Sequence, residues 1–320
     1  MSWTQLLRHP NAVLVAAVLF LLALVSAPNA MSSIRRNFEP LTTVQMPEVV
    51  VTPEDVATAD PALIGRSGSL RAVIGTPAAL EANVALEPYL ADASLDPGVH
   101  PLDVRAEGGE SMVAVAMQPF DAAHSTTHEG YYTGAWASGG LAAKNPSYAP
   151  PQGYIRVTPE NENTPVSEHF KLGDFLTHDQ QNVWPKVLVI QPRLLDKLEL
   201  ISAELARRGL PSQLHIMSGF RTPQYNEQGV GPEKGGRAEH SRHQYGDASD
   251  IFVDANGDQQ MDDLNHDGRI NKKDALVLLA VAEDVEAQHP DLVGGLSAYD
   301  PTSTHGPFVH VDTRGTRARW

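Results

Sequence analysis

Two histidines and an aspartate, far apart in the chain, have the types and surroundings of metal ligands. His243 is followed seven residues later by Asp250, and Gly246 between them allows a tight turn. His310 lies in a terminal segment, residues 308–312, in which two valines alternate with Phe308, His310 and Asp312. If the segments carrying Asp250 and His310 pair as strands, the two side chains face one cavity. Two imidazoles and one carboxylate leave a fourth tetrahedral position for water, which is typical of catalytic zinc sites.

An Asp-rich insertion, residues 254–274, has the spacing of a calcium loop. Side-chain oxygens occupy five positions of a twelve-residue loop, Gly268 allows its sharp turn, and one residue offers its backbone carbonyl. These predicted ligands are Asp263, Asn265, Asp267, Arg269, Asn271 and Asp274. A poorer match begins at Asp254, with Gln259 where glycine is wanted. The alternative is a solvated acidic loop. A calcium ion here would stiffen the chain behind Asp250, so its predicted role is structural.

The pattern Ser-x-His-x-x-Gly-x-Ala-x-Asp over residues 241–250, with Phe-Val-His-Val-Asp near the end of the chain, is specific. Residues 218–226, 294–295 and 314–320 add to it. Over roughly residues 166–320 the chain therefore resembles the zinc D-Ala-D-Ala carboxypeptidases, which share a zinc fold with the hedgehog signalling domain. The resemblance implies an α+β domain that binds zinc through His243, Asp250 and His310. It also implies peptidoglycan stem peptides as the substrate.

The resemblance assigns further roles, and one position departs from it. Arg221 would contact the substrate carboxylate or the developing oxyanion, which suits a fixed guanidinium fork. Many relatives carry an acid or a histidine two or three residues before the last ligand, where this chain has Pro307 and Phe308. His305 is then the expected general base or oxyanion partner, and Asp312 is expected to orient an imidazole. The alternatives are a surface ion pair for Arg221, a plain loop residue for His305 and a structural carboxylate for Asp312.

Regular elements that could position these residues are visible in the pattern. Pro192 opens a predicted helix whose apolar stripe ends at Gly209. A second helix is predicted over residues 272–288, with Leu276, Leu279 and Val285 on its apolar side. Strands are predicted over residues 214–217, 250–253 and 308–312. Together they indicate an α+β domain, and the resemblance makes residues 156–320 a zinc peptidase-like domain.

The N-terminal half divides into three predicted segments. Residues 12–25 carry no polar side chain, and this length favours a signal peptide within residues 1–30. The alternatives are a membrane anchor through residues 12–27 and a buried core helix. A signal peptide or a membrane anchor would place the rest of the chain outside the cytoplasm, in the periplasm or cell envelope. Residues 31–64 are predicted as a linker. Short apolar runs punctuated by glycine and proline predict a small β-rich domain over residues 65–155.

Composition excludes several classes of function. Among 320 residues, 24 Lys and Arg oppose 39 Asp and Glu, a net charge of −15, which argues against nucleic-acid binding. Cysteine is absent, so disulfides, thiol nucleophiles and thiolate metal sites are excluded.

Three functional hypotheses follow. The first is a zinc peptidase of the cell envelope, with carboxypeptidase or endopeptidase action on peptidoglycan. The second is a non-catalytic zinc- or calcium-containing module that binds the cell wall. The third is a calcium-stabilised structural envelope protein whose β-rich domain carries the function.

Overall fold

Helix and strand occur in nearly equal shares in the computed structural model, 26% and 25%, which confirms an α+β content. It describes residues 58–90, 95–106, 109–120, 126–137 and 140–320. The helices of these residues are α1 (Pro77–Glu81), α2 (Gly140–Lys144), α3 (Pro192–Arg207), α4 (Pro223–Glu227) and α5 (Lys272–Gln288). The strands are β1 (Ala72–Gly75), β2 (Gly98–Arg105), β3 (Ser111–Ala116), β4 (Gln118–Pro119), β5 (Thr127–His128), β6 (Tyr131–Tyr132), β7 (Gly153–Val157), β8 (Lys186–Leu188), β9 (Leu214–Ser218), β10 (Ala248–Val253), β11 (Gly295–Tyr299), β12 (Phe308–Asp312) and β13 (Ala318–Arg319).

A five-stranded sheet in the order β13-β11-β12-β10-β9 forms the centre of the C-terminal region. Its inner strand pairs are antiparallel, and β13 joins β11 in parallel. The predicted strands over 214–217, 250–253 and 308–312 are confirmed as β9, β10 and β12. Helix α5 packs against β11 and β12 and contacts α3, so one face of the sheet is covered by helices.

The two predicted long helices are confirmed, with one correction to their faces. Helix α3 begins at Pro192, and Gly209 beyond its end has a left-handed φ of 72°, which favours glycine. Helix α5 has the predicted bounds, but Leu276 is 46% exposed, so its place on the apolar side was wrong. Leu278 is buried instead. Each helix position advances by 100°, and the sheet selects the face that contains Leu278.

The N-terminal part of the described chain has its own sheet, in the order β1-β3-β2. A small apolar cluster beneath it includes Leu63, Leu86 and Met112. The larger apolar cluster runs from Leu70 to Val311 and therefore draws on residues from both predicted domains.

The predicted signal or anchor segment lies outside the described residues, as does the predicted linker before residue 58. Among the residues that are described, no helix is long and apolar enough to cross a bilayer.

Candidate metal centre

Asp250 and His310 face each other across the middle of the central sheet. Strands β10 and β12 are antiparallel with Asp250 opposite His310, which is the pairing that the expected shared cavity required. On β12 the alternate residues Val309 and Val311 are fully buried in the core, as the alternation predicted. This register brings an imidazole and a carboxylate together from segments 60 residues apart.

His243 reaches the same point from a short 3-10 turn, Arg242–Tyr245, that leads into β10. Gly246 ends this turn in a left-handed conformation, with a φ of 69°. A Cβ atom at Gly246 would lie 2.4 Å from the carbonyl oxygen of Val189, so both the conformation and the space require glycine. The backbone N–H of Arg221 donates to the His243 carbonyl at 3.1 Å and holds the turn against the segment that follows β9.

Three donor atoms of these side chains converge. His243 Nε2 lies 3.2 Å from Asp250 Oδ1 and 3.3 Å from His310 Nδ1, and His310 Nδ1 lies 3.0 Å from Asp250 Oδ1. All three residues are buried. Across the described ranges, this is the one group of three or more His, Asp or Glu side chains whose ligand atoms all lie within 4.8 Å of one another. The cluster could therefore hold a metal ion.

The outer nitrogens of both imidazoles are occupied. His243 Nδ1 lies 2.6 Å from the carbonyl oxygen of Gly219, which only accepts, so this nitrogen carries the proton. His310 Nε2 lies 3.1 Å from Asp312 Oδ2 and donates to that carboxylate. The inner atoms, His243 Nε2 and His310 Nδ1, therefore face each other and Asp250. Tetrahedral coordination with bonds of about 2.0–2.1 Å separates ligands by about 3.3–3.4 Å, close to the three separations.

The electrostatics distinguish the two imidazoles. Burial, assisted by the charge of Arg221, lowers the pKa of His243 to about 4, so this ring is neutral. Burial also disfavours charge on His310, but hydrogen bonds with Asp250 and Asp312 raise its pKa above the usual value. Burial would raise the pKa of Asp250, yet the charge of Arg221 and the hydrogen bonds of both imidazoles hold it well below its usual range. Any proton held at His310 Nδ1 would therefore have to leave before a metal ion could bind there.

Asp312 is itself fixed by three further groups. Arg314 Nε donates to its carboxylate at 2.9 and 3.0 Å, and the backbone N–H of Gly295 donates at 2.8 Å. A Cβ atom at Gly295 would lie 2.4 Å from Asp312 Oδ2, so the close approach needs glycine. The buried Lys197 ammonium donates to the Asp312 carbonyl at 2.7 Å and pairs with Glu286 at 2.6 Å. This support fits the expectation that Asp312 orients an imidazole.

Arg221 contacts a ligand of the cluster directly. Its Nη2 donates to Asp250 Oδ2, and its Nε donates to Ser218 Oγ at 2.8 Å. The side chain is only 13% exposed, so the pair is a buried one, unlike the surface ion pair considered as the alternative. The same guanidinium lines the cleft described next, where a ligand could reach it.

A cleft of about 830 Å³ opens over the cluster, a volume in the range of small-molecule sites. His305 lines it together with the three cluster residues, but no hydrogen bond, ion pair or ring contact joins His305 to them in the described chain. Its Nδ1 lies 2.8 Å from the Gly306 carbonyl, and its ring meets Phe308 edge-on at 5.0 Å. Trp320 is 58% exposed and lies 5.3 Å from the His310 ring.

The predicted calcium loop is closed by its own backbone. Asp263 accepts from the N–H groups of Asp267 and Gly268 at 3.1 and 2.7 Å. Asp274 is fully buried and accepts from the Asn271 N–H at 2.8 Å, which caps helix α5. Asp254 binds three backbone N–H groups in the same way. These side chains and those of Asn265 and Asn271 form turns, and the Lys273 ammonium lies 3.2 Å from Asp267.

Sequence reasoning missed several members of the site. The carbonyl of Gly219 is a backbone group, so no side chain marks it. Ser218 and Arg314 lie inside stretches that carried the family likeness, but neither had an assigned role. Lys197 could have been found as a charged residue within the apolar stripe of α3.

No known protein family, curated protein or solved structure shows a detectable match to the chain.

Proposed function

We propose that this chain is a zinc peptidase of the cell envelope that hydrolyses peptidoglycan stem or cross-link peptides. The observation that carries the proposal is the set of separations of 3.0, 3.2 and 3.3 Å among two imidazole nitrogens and a carboxylate oxygen, with the outer nitrogens occupied. Such a set has the spacing and charge that a tetrahedral zinc ion requires. Three protein ligands leave the fourth position for water, and the open cleft gives access to it.

The residues around the cluster suit amide hydrolysis. When bound, zinc supplies a Lewis acid that lowers the pKa of water to about 7 and polarises a carbonyl. Asp312 and the Gly219 carbonyl hold the imidazoles in one tautomer. Arg221 anchors a substrate carboxylate or the developing oxyanion from the cleft wall. His305 would take a proton from the attacking water at Nε2 and give it to the leaving amine, because its Nδ1 is engaged by the Gly306 carbonyl.

The substrate class and the location rest on the sequence. The apolar segment 12–25 supports export to the periplasm or envelope, and the motifs at 241–250 and 308–312 support peptidoglycan peptides and a hedgehog-like zinc domain. Calcium at residues 263–274 is part of the proposal only as a structural ion.

Metal analysis combined with muropeptide product mapping tests the proposal. We expect one equivalent of zinc and release of D-Ala or cleavage of cross-links by the purified protein. His243→Ala should lose both, whereas His240→Ala, in the same cleft but outside the cluster, should keep the metal. Full peptidase activity in a folded His243→Ala variant would contradict the mechanism.

One observation favours a second candidate, a non-catalytic module that binds cell-wall peptides. Within the described lining of the cleft, Asp250 is the sole acidic side chain, and it belongs to the cluster. The cleft therefore offers histidines rather than a carboxylate as base. Retained affinity for muropeptides without turnover, in the zinc-loaded protein, would support this candidate.

A further inference from the structure

The charge of the cleft is opposite to that of the chain. The whole sequence has a net charge of −15, yet the described cleft lining has five Lys and Arg side chains and one acidic side chain, Asp250. The cationic residues are Arg221, Lys234, Arg237, Arg242 and Arg314. Low-dielectric walls of one sign concentrate a ligand of the opposite sign. The opposite charge of the cleft bears on the substrate, and the inference drawn from it rests on the proposed peptidase function.

Three of these cations already have carboxylate partners. Arg221 pairs with Asp250, and Arg242 pairs with the buried Asp247. Arg314 pairs with Asp312 at 2.5 Å. Each of these charges is largely neutralised by its partner, and the pairs position the metal cluster and the turn that carries His243.

Lys234 and Arg237 differ from the other three, because neither forms an ion pair with a carboxylate in the described chain. Arg237 is nonetheless fixed. Its Nη1 donates to the Tyr225 carbonyl at 2.6 Å, and its guanidinium lies 4.4 Å from the centre of the Tyr225 ring. A fixed guanidinium loses little side-chain entropy when it binds an anion. Lys234 is exposed three residues earlier on the same loop.

The field of Arg237 is felt by a neighbouring side chain. Desolvation lowers the pKa of the His178 imidazole, and the positive charges of Arg221 and Arg237 lower it further. The positive charge of Arg237 therefore acts beyond its own loop.

We propose that Lys234 and Arg237 form an anion subsite that binds a second carboxylate of the peptide substrate, distinct from the group at the scissile bond. Both line the cleft that contains the cluster, and a cleft of about 830 Å³ holds more than one residue of a peptide. The guanidinium supplies directed donors and the ammonium adds a mobile charge. The preferred substrate is then an acidic peptide, and a peptide without that carboxylate binds more weakly.

Binding to the metal-free protein tests the subsite separately from catalysis. The probes are two synthetic stem peptides that differ in one group, a free carboxylate on D-glutamate or its amide on D-isoglutamine. Calorimetry should give about 10-fold tighter binding of the acid, as expected for a charged hydrogen bond. In Lys234→Gln/Arg237→Gln the ratio should approach one, with the acid losing affinity and the amide unchanged. Lys171→Gln, an exposed lysine outside the cleft, is the charge-matched control and should keep the full ratio.

The outcomes separate the two proposals. Equal affinity for both peptides, or no measurable binding of the acid, overturns the subsite even if the zinc-loaded protein hydrolyses muropeptides. Discrimination that is lost only in the double variant supports the subsite even if no hydrolysis is found. Because Arg237 also contacts Tyr225, Lys234→Gln alone provides a variant on an exposed side chain, and an unchanged ratio in it would overturn the role of Lys234.

Discussion

The His243–Asp250–His310 cluster and the loop over residues 263–274 are both built from metal-binding residue types, yet they differ in where their donor atoms point. In the cluster, the outer atoms are bound by Gly219, Asp312 and Arg221, and the inner atoms face one another. In the loop, the oxygens of Asp263 accept hydrogen bonds from the loop's own backbone.

The difference follows from the origin of the residues. The cluster combines residues of a turn and two strands. Surrounding groups therefore bind the outer atoms of each side chain, and the inner atoms remain available to a ligand. The loop is local, and its short Asx turns satisfy carboxylates within a few residues. A metal ion at the cluster displaces any proton shared between His310 and Asp250, whereas calcium in the loop would use lone pairs left on carboxylates that already accept backbone hydrogen bonds.

The largest effect is expected from removing a ligand of the cluster. His310→Ala should weaken zinc binding by more than the about 10–100-fold typical of outer-shell changes. Asp263→Ala, the matched change in the loop, should leave zinc affinity unchanged. Titration against a chelator of known affinity measures both. A folded His310→Ala protein that keeps one tightly bound zinc would contradict the contrast between the two regions.

A smaller loss should follow from changing the residue behind the ligand. Asp312→Asn removes the charge that holds the His310 Nε2 proton, and zinc affinity should fall by about 10–100-fold. The buried Arg314 also loses its partner, so circular dichroism must first establish the fold. Asp267→Asn is the control in the loop. Unchanged zinc affinity in folded Asp312→Asn would contradict the role of Asp312 in orienting the His310 imidazole.

The pH dependence of zinc affinity should also distinguish the cluster from the loop. Because the pKa of His310 is raised and its Nδ1 must lose a proton to bind metal, zinc affinity should be constant above that pKa. Below it, affinity should fall by about tenfold per pH unit. His243, with a pKa of about 4, should add a further loss only in stronger acid. Calorimetry in buffers of different ionisation enthalpy measures the released proton. A zinc affinity that stays constant across the titration of His310 would show that zinc and a proton do not compete for this imidazole.

The residues of the cluster were predictable because their signal lies in side-chain types and strand alternation. Period-two alternation put Asp250 and His310 on one face on the condition that their strands pair, which they do, and Gly246 marked the turn. The carbonyl of Gly219 was not predictable, since a backbone group has no sequence signature.

The helix faces show a related limit. The bounds of α5 followed from its pattern, but a helix rich in apolar residues on several sides presents more than one candidate face. Leu276 was placed on the wrong one because only the sheet beneath selects the buried set. Periodicity therefore predicts that a helix forms better than it predicts which side is covered.

The smallest expected effect is that of calcium on the loop. If the loop binds calcium in the folded state only, a concentration of about five times Kd adds about 1 kcal/mol of stability. For a unit of this size that raises Tm by about 2–4 °C. Scanning calorimetry with calcium and with a calcium chelator measures the shift, and Asp263→Ala should abolish it while zinc affinity stays constant. Identical Tm values would favour the solvated acidic loop, because backbone hydrogen bonds to Asp263 and Asp274 then suffice to hold the turn before α5.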